Sequence, residues 1–217
     1  VRNWIAEPPD EVKKSGETSM ENFITLDALV RQTAMRAPAR LAVIDGDRRL
    51  TYAGFDDLID RVAAALQAVG LKPRDVISIC AYSSIEYAAT ILGALRAGVA
   101  VAPLAPSSTP ADFAAMVKDS GAKVLFMDAA AAAAMGEAAN PVGVMRVALD
   151  DSAFDRPFRT WAAVGAKPEP VEIDPTSVFN IIYSSGTTGT PKGIVHSHAM
   201  RCRQYSQWEA LTHRPEG

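Results

Sequence analysis

Residues 76–104 read VISICAYSSIEYAATILGALRAGVAVAPL, and this stretch decides the fold. It opens on a Val/Ile run (76–81), passes through a helical pattern (84–97) stopped by Gly98, and returns to a second apolar run (99–104). Two strands joined by a helix, both rich in β-branched residues, call for parallel pairing with the helix laid across one face. The same alternation continues downstream: helix 110–120 closed by Gly121, strand 123–128, Ala-rich helix 129–139 and strand 142–149. The expected fold class is therefore α/β, a parallel or mixed sheet with helices on both faces.

Upstream, Thr25 is a helix cap before the stripe Leu26, Leu29, Val30 and Thr33, which Pro38 ends. LAVIDGDRRLTY (41–52) reads as two strands around an Asp-Gly turn. Thr51 caps the next helix, with Asp56 and Asp57 near its positive start, an apolar stripe from Phe55 to Val69, and Gly70 as its stop. Residues 1–24 are expected to be a tail, 25–164 a first α/β subdomain, and 165–177 a connection marked by three prolines and no apolar periodicity. Residues 178–217 are expected to start a second α/β unit: strand VFNIIYS, strand GIVHSH, then a helix with Met200, Tyr205 and Trp208 as core contacts.

Composition narrows the function. The 217 residues are 48% hydrophobic and carry 22 basic against 25 acidic side chains, a net charge of −3. That balance offers no general attraction to nucleic acid or to an anionic membrane. The N-terminal segment lacks the apolar core of a signal peptide, and no apolar run reaches the roughly 18 residues of a spanning helix. Cys80 and Cys202 have no metal or redox spacing, so free buried thiols in a reducing, cytoplasmic setting are expected.

The stretch most charged with chemistry is YSSGTTGTPKG, 183–193, directly after an apolar strand. Its glycines permit close backbone approach and successive amides that bind anions. Ser184, Ser185, Thr187, Thr188 and Thr190 add short hydroxyls, and Lys192 adds a point charge on a long arm. From Pro175 onward there are four Lys or Arg and two acidic residues, so the region is locally basic. Phosphate is the ligand these groups suit. The spacing is not that of a Walker loop, because Gly186 and Gly189 are too close and Lys192 precedes Gly193. Nor does it fit the dinucleotide fingerprint.

The eleven-residue string closely resembles the phosphate-binding signature of the adenylate-forming superfamily, which includes acyl-CoA synthetases, aryl-CoA ligases, luciferases and peptide-synthetase adenylation domains. LTYAGFDDLIDRVAAAL (50–66) and LGALRAGVAVAPLAPSS (92–108) resemble earlier family segments in the expected order; Gly98 and Pro103 in them read as structural. The resemblance implies ATP as a substrate, with Ser184, Ser185, Gly186, Thr187, Thr188, Gly189 and Lys192 gripping its outer phosphates. By the same carry-over, Ser184 stands where a hydroxyl approaches Mg2+, and coenzyme A is the thiol co-substrate of a small carboxylic acid.

His196 and His198 alternate as if on one strand face, but with no third ligand evident they read as packing or hydrogen-bonding groups, and Tyr183 reads as core. No catalytic residue is assigned, because the family's later motifs have no counterpart before Gly217. The chain is expected to be the N-terminal part of an acid–thiol ligase, inactive without its C-terminal portion, with self-association as a further option. The alternatives are a non-catalytic nucleotide-binding or interaction module and a peptide-synthetase-type adenylation domain.

Overall fold

The computed structural model describes residues 23–150, 152, 156–184 and 191–212, with side chains up to Ser206. The expected tail up to residue 22, loop residues 185–190 and the Trp208 side chain lie outside them.

Each of the first five helices among the described residues starts on a side chain that satisfies an otherwise orphaned amide. Thr25 accepts from Ala28 N at the head of α1 (Leu26–Arg36), and Thr51 from Gly54 N at α2 (Tyr52–Ala68). Ser84, Thr109 and Asp128 do the same for α3 (Ile85–Arg96), α4 (Pro110–Ser120) and α5 (Ala129–Met135). Glycines end the elements where a left-handed backbone is needed: Gly98 has φ 71° and Gly121 φ 66°. The Ala-rich helix is shorter than expected, because Gly136 turns to φ 53° and only a 3-10 turn, Gly136–Ala139, follows. High Ala propensity does not carry a helix through such a residue.

Strands β1 (Leu41–Asp45) and β2 (Arg48–Thr51) form the expected antiparallel hairpin. The main sheet contains β3 (Val76–Cys80), β4 (Ala100–Pro103), β5 (Val124–Met127), β6 (Met145–Ala148), β7 (Val178–Ser184) and β8 (Lys192–Ser197) in the order β6-β5-β3-β4-β7-β8. All neighbours are parallel except β7 and β8. β6 is shorter than the expected 142–149, since Pro141–Gly143 is a turn, with Gly143 at φ 76°.

Alternation along β5 sorts the two faces. Val124 and Phe126 enter the core shared with α2 and α3, while Leu125 and Met127 enter the core shared with α4 and α5. Helices thus cover both faces, as a buried parallel sheet requires. The segment after residue 165 runs without regular structure along α2 before β7 enters the same sheet beside β4. Its backbone at Glu169 both donates to and accepts from the Gln67 amide, and Val171 and Ile173 come within 3.4 Å of a Cβ placed on Gly98.

Asp56 and Asp57 do not serve the start of α2. They lie past its first turn, where the dipole has faded, and they belong to an ion cluster. Arg96, whose side chain is 5% exposed, reaches Asp56 at 2.6 Å, Asp60 at 2.8 Å and Asp27 at 3.4 Å. Arg31 pairs with Asp56 and Asp60, and Lys167 with Asp57 and Asp60. The cluster joins α1, α2, α3 and the 165–177 connection.

Candidate functional site

The hairpin of β7 and β8 carries the sequence motif, and its register places the ends of the loop together. Ser184 faces Lys192, Tyr183 faces Gly193, Ile182 faces Ile194, and Asn180 faces His196. Directly opposed residues in an antiparallel ladder have side chains on one face about 5 Å apart. One face therefore bears Ser184 and Lys192, both exposed, followed by Ile182 and Ile194 and then by Asn180 and His196. The other face, with Ile181, Tyr183 and Val195, packs on Val76, Ala100, Ala102 and Ala122. Ser185, Gly186, Thr187, Thr188 and Gly189 fall in the part of the loop outside the described residues.

Tyr183 is half-buried as core, and its hydroxyl also donates to Asp119 Oδ2 at 2.9 Å. At the far end of the hairpin His196 Nδ1 lies 3.0 Å from Asn180 Oδ1 and 3.1 Å from Arg201 Nη2. Burial, then the Arg201 charge, moves the His196 pKa below its ordinary value. The expectation that both imidazoles share a strand face does not hold, because β8 ends at Ser197 and His198 opens the last helix, His198–Thr212. His198 is buried edge-on against Phe179, with ring centroids 5.2 Å apart. Burial pushes its pKa down to about 4, with Asp27 opposing the shift. Among the described residues no group of three His, Cys, Asp or Glu side chains is placed to hold a metal ion.

Two other expectations are settled nearby. Cys80 and Cys202 are both buried and free. Met200 is 40% exposed and is not a core contact, whereas Tyr205 is partly buried and donates to the Ile24 carbonyl. Among the described residues no helix is long and apolar enough to cross a membrane.

A separate crevice of about 870 Å³ opens at the carboxyl ends of β3, β5 and β6, where successive connections leave the sheet in opposite directions. Its walls include Tyr82, Leu149 and Phe158. Several of its charged groups are committed within the protein: Arg48 to Glu86, Arg61 to the Ala162 carbonyl, and Asp128 and Asp150 to backbone amides. Sequence reading missed this crevice, the Asp119–Tyr183 bond and the Arg96 cluster. Only Arg96 left a trace, as a lone charge inside an apolar run.

Known proteins place this geometry. A family profile described as AMP-binding enzyme matches residues 30–216. The chain is 32% identical over 189 residues to 4-coumarate–CoA ligase 3 of Oryza sativa subsp. japonica, an alignment covering 85% of this chain and 34% of that protein. It is also 32% identical over 189 residues to a linear gramicidin synthase of Brevibacillus parabrevis, covering 86% of this chain and 4% of the synthase. Among solved structures, VinN superposes with a TM-score of 0.76 at 22% identity, covering 89% of this chain and 48% of VinN, a likeness of fold. The chain thus spans about half or less of each of these relatives. With the profile match over most of its length and the motif-bearing hairpin closing an α/β sheet of the same fold, the chain belongs to the AMP-binding family of adenylate-forming enzymes.

Proposed function

We propose that this chain is the N-terminal part of an AMP-forming acid–thiol ligase of the acyl-CoA synthetase type, with the 184–193 loop as its grip on the β- and γ-phosphates of ATP. The observation that carries this reading is the register pairing of Ser184 with Lys192, two exposed residues at the ends of a stretch of glycines and short hydroxyls. A hydroxyl and an ammonium at the two ends of such a loop suit a phosphate between them.

In the proposed reaction a carboxylate oxygen attacks the α-phosphorus of ATP, the bond to pyrophosphate breaks, and a thiol then attacks the acyl carbon of the adenylate to release AMP. The loop amides, Ser184, Ser185, Thr187, Thr188 and Lys192 orient the leaving pyrophosphate and spread its developing charge, which is where such transfers gain most. Bound Mg2+ would add charge neutralisation at the same phosphates. Ser184 is the described loop residue suited to approach it, and a neutral hydroxyl makes it a minor ligand beside the phosphate oxygens. Coenzyme A is the proposed thiol, and the free thiols of Cys80 and Cys202 suit a cytoplasmic setting.

The test is carboxylate-dependent exchange of pyrophosphate into ATP by the full enzyme. Lys192→Ala is expected to slow it at least about tenfold, equivalent to roughly 1.4 kcal/mol. Exchange at the wild-type rate would remove Lys192 from the site. The similarity to a gramicidin synthase supports a second reading, a peptide-synthetase-type adenylation domain. Transfer of the acyl group to a phosphopantetheinyl carrier in preference to free coenzyme A would decide for it.

A further inference from the structure

Ser184 and Lys192 grip a phosphate only if the end of β7 is held at a set height, and the registered ladder that ties β7 to β4 lies at Asn180, short of that end. The parallel ladder between β4 and β7 is registered at Val101–Asn180. From Ile181 to Ser184 the ladder partner of β7 is β8, which is an edge strand. The last core side chain before the loop is Tyr183, with its ring against the clusters of both Ile181 and Leu104. Its hydroxyl donates to Asp119 Oδ2 at 2.9 Å, across 64 residues of sequence.

Asp119 is well placed to serve as an anchor. It lies in the last turn of α4, and the adjacent Ser120 is fully inside, 3.2 Å from Ser78 Oγ on the central strand β3. The Ser120 hydroxyl also donates to the Val117 carbonyl and accepts from Ala122 N. Gly121, left-handed, then closes the helix. The helix end that bears the carboxylate is thus tied to β3 through Ser120, and a hydrogen bond to a carboxylate is among the stronger kinds. We infer that Asp119 is a positioning residue for the phosphate loop, acting through the Tyr183 hydroxyl to set the height of the Ser184–Lys192 pair. This rests on the nucleotide-binding reading above.

The experiment measures acid-dependent ATP–pyrophosphate exchange by the full enzyme carrying Asp119→Ala, Asp119→Asn, Tyr183→Phe or the Asp119→Ala/Tyr183→Phe pair. Asp119→Ala and Tyr183→Phe are each expected to raise KM for MgATP about three- to tenfold, the range of one lost hydrogen bond. The maximal rate should change less than about twofold and KM for the acid should stay put. Asp119→Asn, which keeps an acceptor, should recover at least half of the loss, and the double variant should be no worse than the worse single one. KM for MgATP within twofold of wild type in both single variants would overturn the inference, as would a parallel rise in KM for the acid.

If the wild-type enzyme shows no exchange with any acid, the nucleotide reading fails, and amide hydrogen exchange judges the strut by itself. Tyr183→Phe should then speed exchange at the amides of Ser184 and Lys192 at least about tenfold while β3 and β5 are unchanged. Unchanged protection there would refute the strut.

Discussion

Replacing Arg96 with methionine removes a charge and leaves a chain of similar bulk, so it isolates the electrostatic role of the cluster. The guanidinium is 5% exposed and its partners Asp60, Asp27 and Asp56 are 9%, 12% and 18% exposed. It also donates to the carbonyls of Asp27 and Asp56. Removing one side of a buried pair costs about 3–5 kcal/mol, because the remaining charge stays desolvated. Two cations would remain beside Asp60, but Arg31 is 43% and Lys167 61% exposed, and such pairs contribute up to about 1 kcal/mol. Neither of them is paired with Asp27, whose Oδ1 already lacks a hydrogen-bond partner.

The expected loss is about 3 kcal/mol. Urea unfolding followed by circular dichroism reads it as a midpoint lower by about 1.5 M, for a slope near 2 kcal/mol per M. Because the cluster is buried, about 0.5 M NaCl should leave most of the difference in place. Adding Asp27→Asn and Asp60→Asn to the Arg96→Met protein should restore at least half of the loss. A loss below about 1 kcal/mol, or one that salt abolishes, would refute the claim that Arg96 is the counterion of buried carboxylates.

Two further outcomes test packing and proton linkage. A Cβ on Gly93 would lie 2.5 Å from Val62 Cγ1 and 2.6 Å from Val62 Cβ, so Gly93→Ala should lower Tm by roughly 3–10 °C, despite alanine's better helix propensity. An unchanged or higher Tm would mean that α2 and α3 do not cross so closely. His198 is 3% exposed with a pKa near 4 against 6.5 for an open chain, so unfolding takes up a proton between those values and stability falls as pH drops from about 6.5 towards 4. The window is worth about 3 kcal/mol, and His198→Gln should flatten it. Parallel acid destabilisation of wild type and variant, followed by urea midpoints, would contradict the burial.

Much of the architecture is legible because its causes are local. Thr25, Thr51, Ser84, Thr109 and Asp128 cap helices through amides three residues away, and Gly98 and Gly121 end them through their own φ. The α/β class follows from apolar runs of strand length alternating with helical stripes. The loop motif is equally plain, being one contiguous string.

What stayed hidden depends on partners far apart in sequence. Nothing near Asp119 indicates Tyr183, and nothing near Asp27 indicates Arg96, 69 residues on. His198 reads as strand until the chain turns into its last helix against Phe179.

The amino-acid sequence by itself therefore determined the alternation of helices and strands, though not all of their ends, and which loop has the chemistry for phosphate, because these rest on interactions within a few residues. The tertiary structure alone decided the strand order, the entry of β7 beside β4, and the anchoring of the loop's base to α4. Those outcomes depend on which edges and side chains meet once the helices have covered the sheet, and local periodicity carries no record of that choice.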